Sequence, residues 1–301
     1  MTVQGRRAGG RQRHERIAGL AFTLPFLVLF VALFVVPLLY SAWLSTFRSQ
    51  LIGGQVFAGL ANYIRAAQDP SIWHGISNVV LFLVIAVPAQ LAVALFLALV
   101  FDTSLVKAAR FGRLGIFIPF AVPSVIATMM WAFIYGTQHG LVTQTLRALG
   151  LPAPDLLSSQ WILPSIMNIT AWEYVGYNMI VFYAALRTVP PELIEAAAID
   201  GAGLWRTAWS VKIPAIRGAL LLVIIFSIIF SFQLFNEPQL LAPTASAAIG
   251  HDFTPNLYAY NVAFLNQDVN YAAAIAFALG LVTLIPSAFV LRVFNREEAA
   301  S

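Results

Sequence analysis

The side chains that could do chemistry in this chain are few and fall in two places. One is a stretch of otherwise apolar sequence, Trp172-Glu173-Tyr174-Val175-Gly176-Tyr177-Asn178-Met179, which offers a carboxylate, an amide, two phenols and an indole within about two helical turns. At helical spacing Glu173 and Tyr177 share a face, as do Tyr174 and Asn178, so one helix can present all four polar groups. Gln90, Gln233 and Asn236 are further amides in or beside apolar runs. The other place is a charged island, Glu192 to Pro214, bounded on both sides by long hydrophobic runs. Neither place resembles a hydrolytic centre. His14, His74, His139 and His251 fall in tails or expected loops, no His-Glu-x-x-His occurs, and there is no cysteine to act as nucleophile or thiolate ligand. A phosphate-binding loop needs Gly-Lys followed by Ser or Thr, but Lys107 and Lys212 are the only lysines and each follows a valine.

The elements that must position these groups are membrane helices. Of 301 residues, 60% are hydrophobic and 10% charged, far below the roughly 25% charge of soluble domains. About 20 apolar residues cross a hydrocarbon core, and six segments qualify: 20–45, 76–101, 114–135, 164–186, 216–235 and 271–291. They define an all-α, polytopic fold with one membrane domain over 17–295, a basic tail at 1–16 and a short tail at 296–301. The run after Arg6, Arg7, Arg11, Arg13 and Arg16 is far too long for a cleavable signal and is expected to be an uncleaved first span. An even number of spans puts both termini on one side. With the tails in the cytoplasm, 14 of the 17 basic residues lie inside and only Arg48, Arg65 and Arg147 outside, as the positive-inside rule requires. The net charge of +4 therefore reports orientation, not nucleic-acid binding.

With that orientation the 187–215 loop faces the cytoplasm. Its sequence predicts two short helices around a turn. Pro190 and Pro191 suit a helix start, Glu192 places negative charge at its positive end, and Asp200-Gly201 is a turn dipeptide whose glycine can take positive φ. Leu204, Trp205, Ala208 and Trp209 should share one face of the second helix, Glu195 can pair with a docked partner or with Arg206, and Pro214 should end the hairpin.

The spacing Glu195-Ala196-Ala197, three residues, Gly201, nine residues, then Val211-x-Ile213-Pro214 resembles the loop by which permease subunits of bacterial ABC importers grip their ATPase. Gly203 stands where that family usually has serine. Trp172–Met179 leading to Ala185-Leu186-Arg187-Thr188-Val189-Pro190, then Phe235-Asn236-Glu237-Pro238, Tyr258–Phe264 and Tyr271–Ile275, are similar to the carbohydrate-type branch, the maltose/glycerol-phosphate-like permeases. The likeness covers about 17–295 and is strongest from 172 onward. It implies a type I importer fold in the bacterial cell membrane, with no cofactor and no enzymatic activity of its own. It also implies an ATPase dimer, a second permease, an extracytoplasmic solute-binding protein and a sugar as cargo. By the same resemblance Glu195, Ala196, Ala197, Asp200, Gly201, Ala202, Arg206 and Pro214 would form the coupling joint.

Counting back from Arg187 places Asn178 roughly 14 Å and Glu173 roughly 21 Å into a core of about 30 Å. Trp172, Glu173, Tyr177, Asn178, Gln233 and Asn236 are thus the candidates for the solute path, since sugars are held by such hydrogen-bonding groups and by aromatic faces. Asn178 can instead hydrogen-bond between helices and Glu173 can line an outer vestibule; Gln90 is expected to join helices. Tyr40, Trp43, Trp73, Trp131, Tyr135 and Trp161 fall near span ends, where an aromatic belt is expected. Other cargoes (a polyamine, a phosphorylated polyol) and an ion-coupled carrier using Glu173 remain alternatives, although a stand-alone carrier leaves the charged loop unexplained.

Overall fold

A computed structural model describes residues 22–50, 54–103 and 109–300, with side chains to 292. The expected 1–16 tail, the start of the first span, Lys107 and the side chain of Arg296 lie outside the described residues. Among the described residues the regular elements are helices except for a small antiparallel hairpin. Helix α1 (Phe22–Leu44) leads into β1 (Phe47–Gln50) and β2 (Gly54–Phe57), in register Phe47↔Phe57 through Gln50↔Gly54. Then follow α2 (Ala61–Gln68), α3 (Pro70–Asp102), α4 (Ala109–Ala121), α5 (Ser124–Ile134), α6 (Leu141–Ala148) and α7 (Ile162–Leu186). The loop helices are α8 (Pro191–Ile199), α9 (Leu204–Thr207) and the short α10 (Ile213–Ala215), with a π turn at Ala208–Lys212 before α10. The chain ends with α11 (Arg217–Phe232), α12 (Asn236–Leu241), α13 (Pro255–Phe264) and α14 (Val269–Ala300).

Four helical segments are long and apolar enough to cross a bilayer: Phe22–Leu44, Pro70–Asp102, Arg217–Leu241 and Val269–Arg292. Helix α7, at 25 residues or roughly 37 Å, is long enough, but Asn168, Glu173 and Asn178 dilute its apolar character. The expected span at 114–135 is corrected: it is a bent pair, with α4 and α5 meeting at 95°. The cause is Pro123, which sits in an extended conformation (φ −56°, ψ 131°), has no N–H to continue the ladder and disfavours helix at Val122. The bent pair counted as one span gives five, and α7 makes the order of spans consistent with the expected six.

Helices α3 and α7 pack together most extensively and form the frame of the site. One core gathers Phe82, Ala86 and Val87 of α3 with Ile162, Ile166 and Ile169 of α7 and Leu234, Leu241, Phe253 and Leu257 from the last third of the chain. A second core, nearer the loop, joins Ala94 and Ala98 of α3 to Met179, Phe182 and Leu186 of α7 and to Val189, Ile216 and Val223. Small Ala94 and Ala98 bring the helices close. Gly176 does the same for α4: a Cβ there would meet the backbone of Ile116, with its carbonyl carbon at 2.7 Å, and Cα of Phe117 at 2.9 Å. On the opposite end of the molecule from the loop, Tyr258 and Tyr271 donate hydrogen bonds of 2.7 Å to Asp69. Arg65 reaches Asp268 at 2.8 Å and lies 3.7 Å from the Tyr271 ring centre, tying α2, α3, α13 and α14 together. Burial acts to raise the Asp69 carboxyl, but hydrogen bonds from Tyr271, Tyr258 and the Ser71 N–H, with the Arg65 charge, outweigh it and hold the group below its ordinary value of 3.8. Burial and the bond to Asp69 push the Tyr258 phenol up to about 12.

Candidate functional site: a polar cavity joined to an exposed loop

A cavity of about 260 Å³ opens between α3, α7, α11 and the 233–237 segment. Four of the six path candidates line it: Tyr177, Asn178, Gln233 and Asn236. The wall also carries Thr170, Tyr174, Ser227, Ser231 and Glu237, with the rings of Phe226, Phe230 and Phe235. Their placement follows from helical spacing: Thr170, Tyr174, Tyr177 and Asn178 form one stripe of α7, and Phe226, Ser227, Phe230 and Ser231 form one of α11. Tyr174 stacks on Phe230 at 5.9 Å and Tyr177 on Phe120 at 4.7 Å, which fixes the phenols as platforms. Ser231 Oγ donates to the Ser227 carbonyl at 2.7 Å. Asn236 Nδ2 approaches Ser124 Oγ of α5 at 3.5 Å, so the bent pair abuts the cavity mouth. The surface is thus rich in amides, hydroxyls and aromatic faces and contains no basic side chain.

Two path candidates lie elsewhere. Trp172 faces a second cavity, of about 590 Å³, between α3, α4 and α7, where its ring meets Trp131 edge-on at 5.9 Å. Glu173 is buried between helices, not exposed to an outer vestibule. Its Oε1 has no hydrogen-bond partner among the described residues. Gln90, expected to join helices, lines both cavities. The expected aromatic belt is also corrected: Tyr135 is buried, accepts a 2.7 Å bond from Asn168 Nδ2, and packs with Trp131 in the core, whereas Tyr40, Trp43, Trp73 and Trp161 are exposed. Sequence reasoning missed Thr170, Ser227, Ser231 and Glu237 as wall residues, and placed Tyr174 on a face with Asn178 without counting it in the path. The serines at i and i+4 in an apolar helix were a readable signal for Ser227 and Ser231.

The loop at 187–215 continues at its two ends into α7 and α11, two of the three long helices that line the cavity. Helix α8 ends as expected: Gly201 has φ +74°, Ala202 N donates to Ala197 O at 2.9 Å and Gly201 N to Ala198 O at 3.0 Å. This pair of bonds satisfies the last carbonyls as in a Schellman cap. Gly203 is the N-cap of α9 and offers no side-chain bond, so the missing serine has a local consequence of a few tenths of a kcal/mol. Pro214 falls inside α10, and the stop comes two residues later at Ile216. The expected single face is split: Ala208 is buried, while Leu204, Trp205 and Trp209 are exposed. Glu195 and Arg206 form no ion pair with each other, and both are exposed.

The loop is fixed to the spans by charge and by apolar contact. Lys212 Nζ lies 2.6 Å from Asp102 Oδ2 at the end of α3, with side chains only 13% and 7% exposed, and Arg187 approaches the same carboxylate at 3.9 Å. Ile216 and Val189 enter the core shared by α3 and α7. Leu193, Ile199, Leu204, Trp205 and Trp209 stand exposed, Ile199 at 87%, with Leu204 and Trp205 lining a groove against Phe96, Leu99 and Val100 of α3, beside the solvent-facing Glu192, Glu195, Ala196 and Asp200. Unpartnered apolar area of this extent, rimmed by charge, has the composition of a protein docking surface.

This arrangement, a bundle of membrane helices with a polar cavity wired to an exposed helical hairpin, is the design of a transport permease. Residues 63–297 match the model of the binding-protein-dependent transport system inner membrane component family, and the chain belongs to that family. It is a multi-pass membrane protein and a component of a transport system. The chain is similar to the diacetylchitobiose uptake system permease protein of Streptomyces coelicolor, with 30% identity over 95% of this chain and 86% of that protein. It is also similar to the lactose transport system permease protein of Rhizobium radiobacter, with 29% identity over 92% and 93%. Its fold matches a chain of a bacterial alginate ABC transporter, solved in complex with an alginate pentasaccharide-bound periplasmic protein. That match has a TM-score of 0.83 and 19% identity and covers 95% of this chain and 96% of that chain.

Proposed function

We propose that this chain is a sugar-conducting permease of an ABC importer, with the cavity at Tyr177, Asn178, Gln233 and Asn236 as its solute site and the 187–215 loop as its joint to a separate ATPase. The observation that carries the reading is the continuity of α7, loop and α11. A force applied to the exposed hairpin reaches α7 through the short 187–190 connection and α11 through Ile216, and both helices line the cavity. ATP hydrolysis falls to a partner, because the chain has no Gly-Lys-Ser/Thr loop. The coupling joint comprises Glu195, Ala196, Ala197, Asp200, Gly201 and Ala202, with Arg206 exposed beside it and Pro214 at the return. With the loop in the cytoplasm the N- and C-terminal tails share that side, and a solute-binding protein delivers cargo from the other. A second permease, a homologue or a copy, completes the pathway.

A sugar suits the wall better than the alternatives do. Amides and hydroxyls satisfy sugar hydroxyls, and the Tyr174, Tyr177 and Phe230 rings offer faces for the apolar side of a pyranose. A phosphorylated polyol would find no basic residue on the wall. The names of relatives that handle lactose and diacetylchitobiose support the same class. The test is uptake of labelled mono- and disaccharides by proteoliposomes holding the complete transporter and its binding protein. Gln233→Leu and Asn178→Leu should each lower uptake roughly 5- to 150-fold while leaving ATPase assembly intact, as expected when a polar contact of about 1–3 kcal/mol to the sugar is lost. Unchanged uptake in both variants refutes the cavity as the path.

A further inference from the structure

Near the loop end of α7, a groove of about 340 Å³ lies between α4 and α7, and its walls are Arg110, Arg113, Leu114, Phe117 and Ile180. We infer that this groove is a binding site for one anionic phospholipid, with an acyl chain against Leu114, Phe117 and Ile180 and the phosphate held by Arg110 and Arg113.

Three observations carry the inference. First, the groove has two positive charges and no carboxylate on its walls. Asp102, the acid nearest in sequence, is already engaged by Lys212 and Arg187, and among the described residues neither Arg110 nor Arg113 has an ion-pair partner. Second, the Arg113 guanidinium lies over the Tyr183 ring, 4.3 Å from its centre. A ring-stacked guanidinium is held flat with its N–H edges free, the geometry that donates two parallel bonds to phosphate oxygens. Third, Phe111, Leu114 and Ile118 stand exposed along one face of α4, so the apolar groove continues into a surface fit for hydrocarbon. Tyr183 is one turn from Arg187 at the loop end of α7, which puts the guanidiniums at headgroup depth and the apolar walls deeper. Basic residues at the mouth of an interhelical groove are the arrangement that selects an anionic headgroup over a zwitterionic one.

The complete transporter in phosphatidylcholine nanodiscs, doped with a trace of photoactivatable phosphatidylglycerol or of the matching phosphatidylcholine, tests the site directly. The phosphatidylglycerol probe should label peptides containing 110–117 or 180 about 30-fold more than the phosphatidylcholine probe, the preference expected of two arginines near a lipid headgroup. Arg110→Gln with Arg113→Gln should reduce the ratio to about one, and the double lysine variant should retain most of it. Equal labelling by the two lipids in the unmodified transporter overturns the inference, and this arm stands even if the glutamine variant fails to assemble. Abolition of labelling by millimolar inorganic phosphate also overturns it, because the site would then be one for free anions. So does efficient cross-linking of a cysteine at Leu114 to the second permease, which would place protein on this face.

Discussion

Lys212→Met tests whether the loop is held to the spans by charge. The variant keeps the length and most of the apolar stem of the side chain and removes the ammonium that lies 2.6 Å from Asp102. Removing one partner of a buried pair costs about 3–5 kcal/mol, because the remaining charge is left without compensation. Asp102 is only 7% exposed, but Arg187 stays at 3.9 Å on a largely exposed side chain and offsets about 1 kcal/mol of that loss. The net cost to docking of the loop is therefore about 2–4 kcal/mol. The readout is amide hydrogen exchange of residues 204–216 in the assembled transporter. Exchange should speed up roughly 30- to 700-fold there, at tenfold per 1.4 kcal/mol, with little change in α13. Sugar uptake should fall more than ATPase activity, since a loosened joint wastes hydrolysis. Asp102→Asn combined with Lys212→Met removes both charges and should recover much of the protection. The reasoning is refuted if Lys212→Met leaves exchange of 204–216 unchanged, or if the double variant exchanges as fast as the single one.

Gly201→Ala forces a Cβ into the left-handed region at φ +74° and should cost about 1–2 kcal/mol in the loop, seen as faster exchange at 197–203 and weaker retention of the ATPase on purification; normal retention and exchange count against the cap. Gly176→Val places side-chain atoms where the backbone of Ile116 and Phe117 already stands, so α4 must move off α7, and the thermal midpoint of the purified chain should drop by several degrees; an unchanged midpoint would show that α4 can yield freely. For Asp69, the carboxyl lies below its ordinary value when folded, so its stabilising effect is complete above 3.8 and is lost as pH falls through the lower folded value. Acid titration should therefore loosen the 65–69 and 258–271 contacts below about pH 4. Asp69→Asn should weaken them at neutral pH and flatten that acid response; an identical acid profile in the two proteins contradicts the assignment.

Much of this was legible in the chain itself, and where it was not the reasons are physical. The hairpin α8–α9 could be placed because its determinants are local: Pro190-Pro191, the Ala-rich run and Asp200-Gly201 act within a few residues of themselves. Tyr177, Asn178, Gln233 and Asn236 were legible as a group because polar side chains in an apolar span have few places to go. Trp172 and Glu173 escaped the cavity for a reason that spacing cannot reveal, namely the rotation of α7, set by the packing of Gly176 on α4 and of Met179 and Phe182 on α3. The 95° bend at Pro123 was hidden because hydropathy sums run through a proline without registering it, and the same sums placed Trp131 and Tyr135 at a membrane edge when the bend turns them into the core. The Lys212–Asp102 pair joins residues 110 apart in the chain, so no window of sequence contained it.

The central claim is that a cavity in the spans is driven through the loop by an ATPase on the loop's side. Uptake of labelled sugar into proteoliposomes of fixed orientation measures it most directly, with binding protein on the face opposite the loop and ATP supplied only on the loop face. Accumulation against a gradient that needs both, and that Gly201→Pro abolishes while the ATPase remains bound, is the predicted result. Accumulation by this chain alone, driven by a proton or sodium gradient and indifferent to Gly201→Pro, would contradict it.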